Sequence, residues 1–228
     1  MTLDELSAAL NSLTVGKCPG LDGLPAEFYT AFWDILGPIL CEVLSSSLTR
    51  GELPRSMRSG VISLLYKKKG AQDQLANYRP LTMLGADYKV LSNVMASRLS
   101  PVLQRLIHPD QTGFIKGRQK ITDNISLLRF VREHRASTAS PGAVVFLDQE
   151  KAFDRVHWAW RDHVLAQCGF GPWFRSMVSL LHSAIRAQVQ INGHLSSSFP
   201  SLRGTRQGDP LSPLLFALLE EPFACTAR

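Results

Sequence analysis

Residues 187–193 place the tightest limit on what this chain can fold into. Ala187, Val189 and Ile191 alternate with Gln188 and Gln190, and Asn192-Gly193 follows. Successive side chains of a strand point to opposite faces, so the alternation describes a strand covered on one side. Asn-Gly supplies the two left-handed residues of a tight hairpin turn. The chain therefore contains a sheet, and helices must pack on it. Thr2 and Glu5 have the spacing of a capping box, and Leu3, Leu6, Leu10 and Leu13 then share one helical face. Similar stripes run from Phe28 to Leu44, from Tyr88 to Leu99 and from Thr122 to His134. Two more helices fall at Trp160–Cys168 and Pro172–Leu181, with Gly169 suited to the end of the first and Pro172 to the start of the second. Gly60–Tyr66 reads as a buried strand that emerges into Lys67-Lys68-Lys69. Ala143–Leu147, apolar on both faces, reads as a strand in the middle of a covered sheet. Strands interleaved with helices and a hairpin predict an α+β fold or a mixed sheet rather than a bundle.

Composition narrows the class. Of 228 residues, 45% are hydrophobic and 19% charged, which is globular material. Lys and Arg outnumber Asp and Glu by 25 to 19, a balance that permits a polyanionic partner without demanding one. Cys18, Cys41, Cys168 and Cys225 are scattered, with no C-x-x-C and no zinc-ligand spacing, so reduced thiols in an intracellular protein are expected. The acidic, amphipathic N-terminus is no signal peptide, and no apolar run reaches the ~20 residues of a membrane span. There is no G-x-x-x-x-G-K-[ST], no G-x-G-x-x-G after a strand, no H-E-x-x-H and no G-x-S-x-G, which leaves hydrolase and dinucleotide-binding readings without support.

Four segments could carry chemistry. In Phe146-Leu147-Asp148-Gln149-Glu150-Lys151-Ala152-Phe153-Asp154 a carboxylate stands at the C-terminal end of the expected strand, where open sheets present residues to a ligand. The plainer reading is that Asp148 begins a turn or caps a helix. In Arg203-Gly204-Thr205-Arg206-Gln207-Gly208-Asp209-Pro210, Asp209 can cap a helix starting at Pro210, and the two glycines let another backbone or a ligand come close. Lys67-Lys68-Lys69 with Asn77-Tyr78-Arg79-Pro80 makes a phosphate clamp feasible, although a lysine cluster is usually a solvated turn. The segment from Gln111 to Lys120 is basic, carries Phe114 and is compatible with backbone contact to a nucleic acid.

In this order the segments resemble the reverse-transcriptase domain of non-LTR (LINE-type) retrotransposons. The resemblance begins at Gly16-Lys17-Cys18-Pro19-Gly20-Leu21-Asp22-Gly23 and ends at Gly204-Thr205-Arg206-Gln207-Gly208-Asp209-Pro210-Leu211-Ser212-Pro213-Leu214. It implies a right-hand polymerase with an N-terminal helical extension (1–59), fingers (60–141) and a partial palm (142–228) that holds an incomplete antiparallel sheet. It further implies phosphoryl transfer with two Mg²⁺ ions, adding deoxynucleoside triphosphates to a DNA primer on an RNA template. Asp148 would be the catalytic, metal-binding aspartate, with the backbone carbonyl of Gln149 facing a metal. Phe153 would be the aromatic gate against a ribose 2′-hydroxyl. Lys67 and Arg79 would hold the triphosphate, and Gln207 and Gly208 would lie beside the nascent base pair. The sequence contains no Asp-Asp pair to complete the metal site, so the chain alone is expected not to polymerise. The alternative is a non-catalytic RNA- or DNA-binding remnant. By analogy with the family the location would be nucleus or cytoplasm.

Overall fold

A computed structural model describes residues 1–118, 121–138 and 141–227. The N-terminal third is helical: α1 (Leu3–Asn11), α2 (Ala26–Ala31), α3 (Trp33–Arg50) and the short α4 (Arg55–Arg58). The capping box forms as expected. Glu5 N–H donates to Thr2 Oγ1 and Thr2 N–H donates back to the Glu5 carboxylate at 2.8 Å. Strands β1 (Ser59–Tyr66) and β2 (Tyr78–Met83) follow, and then the long α5 (Ala86–Leu106) and α6 (Ile121–Ser137). The last third holds α7 (Ala152–Arg155), α8 (Trp158–Gln167), α9 (Pro172–His182), β3 (Arg186–Ile191), β4 (His194–Leu195), β5 (Phe199–Pro200) and α10 (Ser212–Ala227).

Helix α5 is the axis of the core. Tyr88, Val90, Leu91, Met95, Leu99 and Leu103 are all fully buried. A helix covered on nearly every side must be the central one, and α1 and α10 pack against it. Truncating a leucine in such a position costs about 2–5 kcal/mol, because the cavity left behind adds to the lost transfer energy.

The sheet has the order β2-β1-β3-β4, with β5 also on β3. β1 and β2 are antiparallel (Val61 opposite Met83), whereas β1 and β3 are parallel (Ser59 opposite Arg186). Asn192 and Gly193 both take positive φ, 51° and 81°, as the hairpin turn requires. The sheet is therefore mixed. The α+β expectation holds at that level, and within 142–228 the antiparallel pairings are those of β3 with β4 and with β5.

Two expectations are corrected. Residues 141–149 are irregular, and Val145 and Phe146 are 77% and 79% exposed. An apolar run shows that a segment prefers burial. A strand also needs a partner for its N–H and C=O groups, and no described segment pairs with this one. The last helix starts at Ser212, not Pro210. Asp209 instead forms a turn that accepts from Leu211 N–H at 3.3 Å. Gln119, Lys120 and part of the Ser137–Pro141 linker (Ala139, Ser140) lie outside the described residues, as does Arg228.

Candidate nucleotide and nucleic-acid site

The Gly204–Gly208 loop gathers the motifs. Gly204 N–H donates to Val156 O at 2.7 Å, Thr205 N–H to Phe153 O at 2.9 Å, and Trp158 Nε1–H to Gly204 O at 3.0 Å. These bonds lace the loop to the turn that carries Phe153 and Asp154. At its other end Thr82 N–H of β2 donates to Gln207 O at 2.8 Å. The contact admits no side chain: a Cβ on Gly208, at φ 104°, would stand 2.6 Å from Thr82 O. A Cβ on Gly204, at φ 87°, would meet the Asp154 backbone at 3.0 Å. The glycines serve close backbone approach, as their spacing suggested.

Phe153 is sandwiched. Phe216 of α10 stacks on it at 4.6 Å and Phe114 meets it edge-on at 6.2 Å. Phe114 is itself 56% exposed and sits at φ 63°, a conformation rare outside glycine. Its loop is pinned by Arg118, whose guanidinium donates to the carbonyls of Gln104, Ile107, His108 and Gln111. Arg118 therefore closes the C-terminal end of α5, and its donors are directed at the protein's own backbone. Burial pushes the Asp154 carboxyl upward, opposed by Lys151.

A polar network inside the core fixes the loop from behind. Asp209 is 2% exposed and accepts from Ser92 Oγ, Tyr88 Oη, Ser212 Oγ and Leu211 N–H. Arg206 lies over the Tyr88 ring at 3.9 Å and donates to Leu181 O at 3.3 Å. Burial raises the Tyr88 hydroxyl well above the usual tyrosine range; Asp209 adds to the rise and Arg206 opposes it. Tyr88 and Ser92, four apart on one face of α5, were legible as a pair at helical spacing. Their partner Asp209 was not.

Of the residues singled out in the sequence, Phe153, Gln207 and Gly208 come together through this loop. Lys67 and Arg79 come together separately. Leu65 pairs with Arg79 and Lys67 N–H donates to Asn77 O at 2.8 Å, so the two cations are diagonal neighbours on one face. Pro80 and Thr82, which alternate with Arg79, line a cleft of about 400 Å³ with Asp154, Arg186 and Gln207. Lys67 Nζ donates to Ala76 O at 2.8 Å within its own turn. Asp148 stands in the exposed irregular segment 141–149. Gln149 Nε2 donates to Glu220 of α10 at 2.8 Å. Among the described residues no three His, Cys, Asp or Glu side chains gather as metal ligands. One carboxylate is too few for two divalent ions, so the described residues do not by themselves fit the expected pair.

The Phe153 turn and the Gln207–Gly208 loop are thus joined within one mixed α/β fold. Residues 66–227 match the family of reverse transcriptases (RNA-dependent DNA polymerases), and the chain belongs to that family. Over its whole length the chain is 42% identical to the transposon TX1 uncharacterized 149 kDa protein of Xenopus laevis, of which it covers 17%. It is also similar to the probable RNA-directed DNA polymerase from transposon BS of Drosophila melanogaster, at 24% identity over 98% of this chain and 25% of that protein. The RNA-directed DNA polymerase from mobile element jockey, from the same fly, is 26% identical over 96% of this chain and 24% of its own length. The relatives are non-LTR retrotransposon proteins, and the chain spans between 17% and 25% of these three.

Proposed function

We propose that this chain is the nucleotide- and template-holding part of an RNA-directed DNA polymerase of a non-LTR retrotransposon. The observation that carries the reading is the Gly204–Gly208 backbone, hydrogen-bonded both to the Phe153 turn and to β2. Phe153 would face the sugar of an incoming deoxynucleotide, and its place between two aromatic rings would hold it rigid enough to exclude a 2′-hydroxyl. Gln207 and Gly208 would border the new base pair. Lys67 and Arg79 would take the triphosphate, for which adjacent cations on one sheet face are suited. Magnesium would supply the charge stabilisation of phosphoryl transfer. Asp148 and the Gln149 carbonyl would contribute ligands to it, and the remaining ligands are not among the described residues.

The 228-residue chain alone is therefore proposed to bind RNA without extending a primer. Incubation with poly(rA), oligo(dT), dTTP and Mg²⁺ tests this. No incorporation is expected, and incorporation abolished by Asp148→Ala would refute it. The exposed, irregular setting of Asp148 favours a second reading, a non-catalytic RNA- or DNA-binding protein. Supplying the downstream part of a relative's polymerase in trans separates the two, since only the first reading predicts incorporation restored by that addition and dependent on Asp148.

A further inference from the structure

Two helix faces stand exposed although each carries an apolar line. The first belongs to α6, where every residue from Thr122 to Thr138 is exposed except Leu128, which is half-buried. A helix of 17 residues is marginal in water by itself, because most helical stability comes from packing one face. Helix α6 therefore calls for a cover. Along one side of it Ile125 and Leu128 are followed by Arg132 and Arg135. The second face runs from α2 onto α3, where Phe28, Phe32, Ile35 and Ile39 stand exposed. The Phe28 and Phe32 ring centroids are 5.0 Å apart, and Ile35 is the barest of the four at 64%. Glu42 continues that line one turn further on. Neither Glu42 nor Arg132 has a hydrogen-bond or ion-pair partner among the described residues. Arg135 makes one bond, to Pro141 O at 3.4 Å.

We propose that these faces bind each other between two copies of the chain, α6 of one copy lying along α2–α3 of the next. The two lines share one spacing. Phe32, Ile35, Ile39, Glu42 and Ile125, Leu128, Arg132, Arg135 both advance by three, four and three residues, which is the step of a coiled-coil seam. In a parallel pairing Ile125 meets Phe32, Leu128 meets Ile35, and Arg132 and Arg135 close on Glu42. The charges select the occupant: α3 against α3 would oppose carboxylates and α6 against α6 would oppose arginines, whereas the crossed pairing joins opposite signs. A nucleic acid would satisfy the arginines but leave Ile125, Leu127 and Val131 bare, so a protein face is the better match. Because the two faces differ, the contact is head-to-tail. One helix pair lies at the small end of interfaces, below ~1,200 Å², so the association is weak. The inference does not depend on the polymerase reading.

Sedimentation velocity of the 228-residue chain from about 5 to about 200 µM tests this. The mean mass is expected to rise with concentration. The association should weaken about fivefold between about 50 and 500 mM KCl, because salt screens the paired charges. Glu42→Arg alone and Arg132→Glu/Arg135→Glu alone are each expected to stay monomeric, since each sets like charges against each other. A one-to-one mixture of these two variants is expected to associate again, because every face then finds an opposite one. Chains that the changes had merely unfolded would not recover in that way. Val145→Ser/Phe146→Ser, in the other exposed apolar run, should leave the mass of the natural chain as it is. A natural chain monomeric throughout, charge variants that associate as it does, or a mixture that stays monomeric overturns the pairing. Association that appears only when poly(U) RNA is added assigns α6 to nucleic acid and overturns it too. None of these results touches the primer-extension outcome, so the polymerase reading stands or falls separately.

Discussion

At the scale of single residues, the chain buries charge and polarity in places where they can be measured. His182 is 1% exposed, with Nδ1 facing Val178 O at 2.8 Å. Burial pushes its pKa down to about 3; Arg161 and Arg206 push the same way, and the Val178 carbonyl opposes them. An unfolded histidine protonates near 6.5, so below that pH the unfolded chain binds one more proton than the fold. Stability is then complete above about pH 6.5 and declines as pH falls toward 3, by at most ~1.4 kcal/mol per unit. Urea denaturation at pH 7 and pH 5 should show this decline in the natural chain and a smaller one in His182→Asn. Arg118 makes a second prediction. Replacing it with Lys removes the planar fork that reaches four carbonyls, and a loss of about 2 kcal/mol is expected in the same assay. In sequence the Gln111–Lys120 segment is compatible with nucleic-acid contact, because a basic, glycine-containing stretch looks alike whether its cations face phosphates or, as Arg118 does, carbonyls.

At the scale of elements, the Gly204–Gly208 loop is the least replaceable piece. Gly208→Ala must relieve both a left-handed backbone and a 2.6 Å approach to Thr82 O. A loss of about 2 kcal/mol or more is expected, seen as a drop in Tm; Gly113→Ala, with open space around it, should shift Tm far less. What was legible here divides by range. The capping box of α1, the apolar stripe of α5 and the Asn192-Gly193 turn depend on neighbours within a few positions, and each formed where the spacing placed it. Phe153, Gln207 and Gly208 stand in motifs that the sequence singles out, and the structure joins those motifs through the Gly204–Gly208 loop. The setting of Asp148 was not legible, because whether Ala143–Leu147 is a strand depends on a distant partner that no local pattern encodes. The start of α10 was missed for a related reason. Asp209 can cap a helix, but Tyr88 and Ser92 of α5 draw its carboxylate into the core.

At the scale of the whole molecule, the core around α5 and the exposed stretch at 141–149 should differ sharply in stability. Local opening is easiest where few buried contacts hold the backbone, and exposed irregular segments are cut first. Brief chymotrypsin treatment should cleave at Phe146 or Leu147 before any site in α5; initial cleavage within α5 would contradict the fold. The sheet has a consequence of another kind. Its parallel β1–β3 pairing joins Ser59 to Arg186, segments that leave the ribosome far apart in time. At 5–20 residues per second, β1 and β2 wait roughly ten seconds for β3 to be made. During that interval the edge of β1 that later receives β3 stands open, so the newborn hairpin is at its most vulnerable to mispairing well before the reverse-transcriptase motifs have all been synthesised.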